Sequence, residues 1–548
     1  MSQLRGDPHP SAVTHPSILE RLGRLTDDQR AAATAPSGPV LCVAPAGSGK
    51  TTTLVARMAW LVDGGIDPTS LAAITFNTRA AEELAERLDA AVAPLGVGPR
   101  TIRVRTFHAL GREILVDAGA DVHDLIERDV MLRELFPELD AAGRGRLDTC
   151  FSRLKLDLRV DPAAVALDVE AGPMARAFVA YQAALADRGA IDFDDLVGGA
   201  LDRLEADPSL LARWRARCSE LLVDEVQDVD RSQLALALLL AAPANRIFLV
   251  GDDDQSIYGW RLADVRRVLA LDAALPGLRR VHLQVNQRCP RPVVERAVRL
   301  IAHNEERFAK VVRARAGATG SLILAPDEAD EPARSARLLR AFPDDCGTRA
   351  ILARTNRELR PAIVAALALG EPFRAPSVEL LVDDPELDAV VSDVGRTPAD
   401  WPLLVRIGAL WTGAPGPAAG RPDLVAALLA WAPPYPDLDA LAAAITDTRR
   451  RLAALRRDDA ALSLATAHST KGAEFDHVAV VGLDVGRFPS GRAIGEADDP
   501  GRALEEERRL GYVAWTRARR SLTLSYDPAA PSPFLLEAFT PEELGVAP

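Results

Sequence analysis

An apolar run, PVLCV, breaks at Ala44 into APAGSGKTTTL, and a helical pattern begins at once. No other passage restricts the fold so tightly. A strand with no polar face must be covered on both sides, and the economical way to cover it is a parallel sheet with helices packed on each face. Similar aliphatic or β-branched runs recur at 71–76, 221–224, 247–251, 351–354, 464–467 and 478–483, each followed by a loop and a longer helical pattern. The alternation predicts an α/β fold with parallel sheets, and the runs fall into two groups.

Two stretches interrupt this rhythm. Residues 112–190 carry Leu, Ile and Val at helical spacing without strand runs, as in LIERDVMLRELF, and predict an all-helical insertion in the first group. Residues 376–455 are rich in Ala, Leu, Pro and Trp and also read as helical, with breaks at GAPGPAAG and APPYP. They predict an insertion in the second group. A chain of 548 residues that is 48% hydrophobic and 26% charged has the material for three or four packed domains.

Composition excludes several classes. There is no apolar run of about 18 residues to cross a membrane, and the opening MSQLRGDPHPSAVTHP has no secretory order, so a cytoplasmic location is expected. Cys42, Cys150, Cys218, Cys289 and Cys346 are widely separated and match no zinc, iron–sulfur or disulfide spacing. A net charge of −13 rules out a generic polycation, so any nucleic-acid site must be a local groove. Only four of the basic residues are lysine, Lys50, Lys155, Lys310 and Lys471. A chain that writes Arg almost everywhere keeps Lys where a compact ammonium is needed.

Lys50 lies in the small-residue loop. Ala44, Pro45, Ala46, Gly47, Ser48 and Gly49 let backbone amides approach phosphate, Lys50 reaches the outer phosphates, and the Thr51 hydroxyl is placed to bind Mg2+. The run LLVDEVQD ends a strand in Asp224 and Glu225: one carboxylate for the metal, the other to orient and deprotonate water. A third strand runs into VGDDDQSIYGWR, whose Gln255 is suited to sensing a γ-phosphate. Tyr258 and Trp260 follow, either as core aromatics or as platforms for nucleic-acid bases. These residues predict an enzyme that hydrolyses ATP with Mg2+ and acts on single-stranded nucleic acid.

With these motifs in this order, the chain resembles the UvrD/Rep/PcrA group of superfamily 1 helicases from about residue 24 to 538. The resemblance implies two RecA-like motor domains, each with an inserted subdomain. Residues 1–111 and 191–285 would form the first and 286–375 with 456–548 the second, interrupted by 112–190 and a shortened 376–455. It implies 3′ to 5′ movement on single-stranded DNA and at junctions with duplex, in DNA repair or replication-associated processing. LTDDQR gives Gln29 as the adenine reader, and Thr52, next to Lys50 and Thr51, belongs to the same nucleotide site. Phe76, Thr106, Phe107, His108, Phe193, Tyr258, Trp260 and Arg261 become strand contacts. In NQRC, Arg288 is the first arginine finger. TAHSTKGAEF puts His468 and Lys471 near the strand and Glu474 near the ribose, and Arg517 in EEERRLGYVAWTRA is the second finger.

The chain departs from the group in three places. Thr52 and Gln287 stand where relatives carry the residues that sandwich adenine, which predicts weak selectivity for the base. The second insertion is about half the expected length, so translocation is better supported than processive unwinding. The sequence ends at PSPFLLEAF and a short tail, leaving no nuclease domain to be expected. Two classes therefore stand: a helicase, or a non-processive translocase or nucleotide-switched DNA-binding module. RNA as the strand is not distinguished from DNA by stacking chemistry alone.

Overall fold

The computed structural model describes residues 14–168, 172–412 and 421–545. Among them no helix is long and apolar enough to cross a membrane. The chain divides into two compact units, Met1–Ala318 with Ala497–Tyr512, and Thr319–Glu496 with Val513–Pro548.

The first unit is built on six strands: β1 Val40–Val43, β2 Leu71–Thr75, β3 Arg103–Thr106, β4 Glu220–Val223, β5 Ile247–Gly251 and β6 Arg279–His282. They pair in the order β3-β2-β4-β5-β1-β6, and every pairing is parallel. Successive residues of a strand point to opposite faces. Leu41 and Val43 accordingly join one buried cluster with Ile74, Val223 and Leu249, while Val40 and Cys42 join another with Leu222 and Val250. Helices cover both faces, and the expected mixed α/β fold with parallel sheets is observed. A short parallel pair, β7 Val285–Asn286 and β8 Arg313–Ala314, belongs to the same unit.

The second unit holds β9 Ser321–Pro326, β10 Arg349–Ala353, β11 Phe373–Arg374, β12 Leu462–Thr466, β13 Phe475–Val480 and β14 Ala518–Tyr526. Their order is β11-β12-β10-β13-β14-β9, again parallel throughout. The sequence reading starts the second half at residue 286, whereas residues 286–318 pack with the first sheet. The cause is local: Asn286 and Gln287 bond to the loop after β1, and Arg307 and Lys310 bond to acids after β5.

The first insertion consists of helices Arg128–Leu135, Ala141–Ser152, Pro162–Leu167 and Pro173–Asp187, two of them opened by proline in the first turn, where its missing N–H costs nothing. The first, second and fourth of them close around a core of Met131, Leu147, Phe151, Phe178, Tyr181 and Leu185. Residues 112–117 instead complete the helix Phe107–Asp117, whose Ile114 and Leu115 pack into the sheet's core. The second insertion, with helices Leu387–Gly395, Leu403–Ala409, Pro422–Trp431 and Leu438–Leu455, packs its described apolar residues into the core of the sheet. Its Val390, Ile407, Leu428 and Ile445 belong to one cluster with Ile351 and Leu464 of the sheet. The GAPGPAAG break lies outside the described residues, and APPYP follows the end of Pro422–Trp431, as expected of prolines that cannot continue a helix.

Candidate functional site

The strand order of the first unit sets β4, β5 and β1 side by side, so the segments leaving their C-terminal ends lie together, the position where open parallel sheets bind ligands. After β1 the chain turns through Ala44–Gly49 into the helix Lys50–Asp63. Gly49 caps that helix at φ +84 and Gly47 sits at φ +68, both left-handed. A Cβ on Gly47 would stand 2.8 Å from Arg288 Cβ, so no other residue fits beneath Arg288. Asn286 Nδ2 donates to Ala46 O at 2.8 Å and Gln287 N to Gly47 O at 2.8 Å. Asn286 Oδ1 accepts from Arg288 N at 2.9 Å and Cys289 N at 2.7 Å, which fixes the arginine's backbone over the loop.

Gln29 lies against the other side of the loop. Its Nε2 donates to Ser48 O at 2.7 Å, while its Oε1 accepts from Thr26 N at 3.1 Å in a capping box of the helix Asp27–Ala33. The Thr52 hydroxyl accepts from Arg87 Nη2 at 3.0 Å. Gln287 is exposed.

β4 runs into Asp224 and Glu225. Glu225 takes a left-handed φ of +53, a conformation that costs a side-chain-bearing residue of order 1–2 kcal/mol. The surroundings enforce it: Gln227 Nε2 donates to Glu225 Oε2, and Lys50 Nζ stands 3.6 Å from Glu225 Oε1. Asp224 Oδ1 accepts from Glu225 N at 3.0 Å. β5 leads to Asp252, fully buried, whose Oδ2 accepts from Ala46 N at 3.0 Å and from Gln255 Nε2 at 2.7 Å. Asp252 N in turn donates to Gln227 Oε1 at 3.0 Å. Burial alone would raise the Asp252 carboxyl, but the Lys310 and Lys50 ammonium groups hold it below the usual carboxylate range. The phosphate loop, the acid pair and Gln255 thus form one hydrogen-bonded unit.

Two observations test whether the loop fits a nucleotide with Mg2+. The Ser48 hydroxyl is buried with no hydrogen-bond partner among the described residues. A hydroxyl at Thr51 and a carboxylate at Asp224 are the hard oxygen donors Mg2+ takes alongside water and phosphate. The residues fit.

A groove of about 860 Å³ opens between the first sheet and the first insertion. Phe76, His108, Phe193, Trp260 and Arg261 line it. Phe76 stacks on Tyr258 at 5.0 Å between ring centres and 17° between planes, and Tyr258 meets Trp260 edge-on at 6.2 Å. Trp260 is 58% exposed, with the Arg261 guanidinium 4.8 Å from its ring. Phe193, 56% exposed, opens the helix Phe193–Ala206 beside His108. Its position is fixed from below by the N-cap Asp192, which accepts from Arg128, Lys155 and Tyr181 of the insertion at 2.7 to 2.8 Å. Phe107 needs a correction: it is 4% exposed within the sheet's core and supports the groove without facing it. Phe107 lies on the buried face of its helix with Leu110, Gly111 and Ile114, and Thr106 before it serves as the N-cap.

In the second unit Glu474 and Arg517 immediately precede β13 and β14, so both lie at the N-terminal ends of those strands. Glu474 pairs with Arg519 at 2.7 Å. Arg517 is 1% exposed, donating to Val513 O at 2.9 Å and Ala473 O at 3.3 Å. His468 follows β12, and burial together with the charge of Arg354 lowers its pKa to about 4. Lys471 lies three residues on and is half-buried.

Sequence reasoning missed Asp252, Asn286, Arg307 and Lys310. The rarity of lysine was the available signal for Lys310; a buried acid that bridges loops has no signature of its own.

Two family models match the chain: the UvrD/REP helicase N-terminal domain over residues 25–276 and the UvrD-like helicase C-terminal domain over 439–528. The chain is 30% identical to DNA helicase II of Escherichia coli over 92% of its own length and 84% of that protein's, and 29% identical to the Salmonella typhimurium DNA helicase II over the same shares. It is 30% identical to the ATP-dependent DNA helicase PcrA of Staphylococcus aureus over 53% of the chain and 41% of that relative.

Proposed function

Because the chain belongs to the UvrD/Rep family of helicases, we propose that the two sheet-bearing units are RecA-like motor domains that drive 3′ to 5′ movement along single-stranded DNA. The protein is an ATP-dependent DNA helicase. The observation that carries the mechanistic reading is the bridge at Asp252, which joins the phosphate loop at Ala46 to Gln255, five residues before the exposed Trp260.

In this reading the amides of Ala46–Gly49 and Lys50 hold the triphosphate, and Thr51 and Asp224 hold Mg2+. The metal, when bound, neutralises charge that develops on the phosphate oxygens. Glu225 orients the attacking water and accepts its proton, with the Lys50 ammonium 3.6 Å from its Oε1. Gln255 registers the γ-phosphate. Arg288, held over Gly47, and Arg517 act as arginine fingers, while Gln29 and Glu474 contact base and ribose. Phe76, His108, Phe193, Tyr258, Trp260 and Arg261 form the strand platform, with Thr106, His468 and Lys471 at its margins. Residues 118–190 and 376–455 are the insertions of the two motors, and the enzyme works on single strands and their junctions with duplex in repair or replication-associated processing.

A second reading, a translocase with little unwinding, is favoured by one feature. The described apolar residues of the second insertion join the core of the sheet, which ties that region to the motor rather than to a separate grip on duplex. Duplexes tailed on either side, assayed with strand-stimulated ATPase in parallel, test both readings. Displacement only from a 3′ tail supports the first. Strong ATPase without displacement supports the second, and displacement from a 5′ tail alone overturns the polarity.

A further inference from the structure

Lys155 and Lys310 are the lysines that the nucleotide and strand motifs do not use, and both are buried among aspartates. Lys310 is the more consequential. It has no exposed side-chain surface, and its ammonium lies 2.8 Å from Asp252 Oδ1 and 2.9 Å from Asp254 Oδ2, with Asp253 Oδ1 as its third partner. The same acids are tied to the segment that carries Lys310: Arg307 grips Asp254 through Nε and Nη2, each at 2.8 Å, and Phe308 N donates to Asp253 Oδ2 at 2.8 Å. Three consecutive residues are thereby pinned at the root of the 252–260 segment.

The carboxylate of Asp252 faces two ways. One oxygen meets Lys310, while the other receives Ala46 N of the phosphate loop and the Gln255 amide. Holding the first oxygen fixes the plane of the carboxylate and hence where the second one aims. Tyr258 and Trp260 stand at the far end of the same segment, on the groove. With a free root, a shift imposed on Trp260 by a stacked base would be absorbed by rotation of Asp252–Asp254. With the Asp252 carboxylate held by Lys310, the shift must pass through Gln255.

Resting on the proposed function, we propose that Lys310 is a positioning residue that transmits strand binding at Trp260 to Gln255 and the phosphate loop through Asp252. Arg does not substitute: three carboxylates converge on one ammonium from different sides, which a planar fork on a longer stem does not match. This accounts for lysine at 310 in a chain that otherwise writes arginine.

The test compares strand-stimulated ATPase on a thymidine oligomer, and strand affinity with and without a non-hydrolysable ATP analogue. Lys310→Met alone leaves Asp252 and Asp253 without this buried cation, while Asp254 keeps Arg307, so it is combined with Asp253→Asn to keep the local charge balance. The folded double variant is expected to lose about ten-fold in stimulation and a similar share of the nucleotide-dependent change in strand affinity, because binding coupling is reciprocal. Lys310→Arg is expected to show the same loss. Asp254→Asn removes a carboxylate that touches neither Ala46 nor Gln255 and is expected to keep the coupling. Wild-type stimulation in a folded lysine variant, or equal loss in Asp254→Asn, overturns the proposal. So does failure of both lysine variants to fold, which assigns Lys310 to stability alone. Absence of strand-stimulated hydrolysis in the wild type counts against the proposed function instead.

Discussion

In the first unit the functional side chains leave the C-terminal ends of β4, β5 and β1; in the second, Glu474 and Arg517 lie at the N-terminal ends of β13 and β14. Both sheets are six-stranded and parallel. The difference lies in what each edge offers an anion. The first edge has left-handed glycines and a helix N-terminus, the backbone amides and helix dipole that suit a phosphate. The second carries, at Arg517, a guanidinium held in place by the carbonyls of Val513 and Ala473. One topology therefore presents a glycine loop and helix N-terminus in one unit and a buried arginine in the other.

Removing each edge's cation is the strongest way to probe this contrast. Lys50→Ala is expected to abolish hydrolysis even at saturating strand, measured as steady-state phosphate release; retained turnover would end the assignment of the first edge. Arg517→Ala is expected to lower kcat by about 10³-fold while a fluorescent nucleotide analogue still binds, since an arginine finger acts on the transition state. Its melting temperature must be followed alongside, because the residue is buried.

Trp260→Ala tests the groove, which belongs to the first unit alone. It is expected to weaken oligonucleotide binding by about 1–3 kcal/mol, with nucleotide affinity in the absence of strand unchanged. Unaltered strand affinity in a fluorescence titration would return Trp260 to a packing role. A smaller effect is expected at the base. With Thr52 engaged by Arg87 and Gln287 exposed, KM for GTP should lie within about ten-fold of that for ATP, and a steep preference for ATP would show that other groups read the ring.

The smallest effect concerns His468. Its pKa falls from the ordinary 6.5 to about 4 in the folded chain, so the folded state resists its protonation. The stability this gives is complete above about pH 6.5 and is lost as pH falls toward 4. Thermal melts at pH 7 and pH 4.5 should show a smaller acid-induced drop for His468→Gln than for the wild type. Equal drops would mean that the imidazole is solvated and charged.

The seven strand runs legible in the sequence are mostly those buried on both faces, where an unbroken aliphatic run is the signature. β3 (RVRT) and β6 (RRVH) went unread because they form the edges of the first sheet, where arginines face solvent and break the pattern. β14 (ARRSLTLSY) was hidden in the same way by its leading arginines. At the site, the glycine loop, the acid pair and Gln255 were readable because phosphate chemistry demands particular residue types at short spacing. Phe107 was misread, since a string of letters does not say which way an aromatic at a helix start will turn.

By itself the sequence determined the parallel α/β layers, the phosphate loop and the family, because local spacing and residue chemistry suffice for each. Tertiary structure alone decided that residues 286–318 join the first sheet, that Asp252 bridges the phosphate loop to Gln255, and that Lys310 sits beneath three carboxylates. Those contacts link residues up to 240 positions apart, and such pairings arise from chain packing, which leaves no periodicity to read.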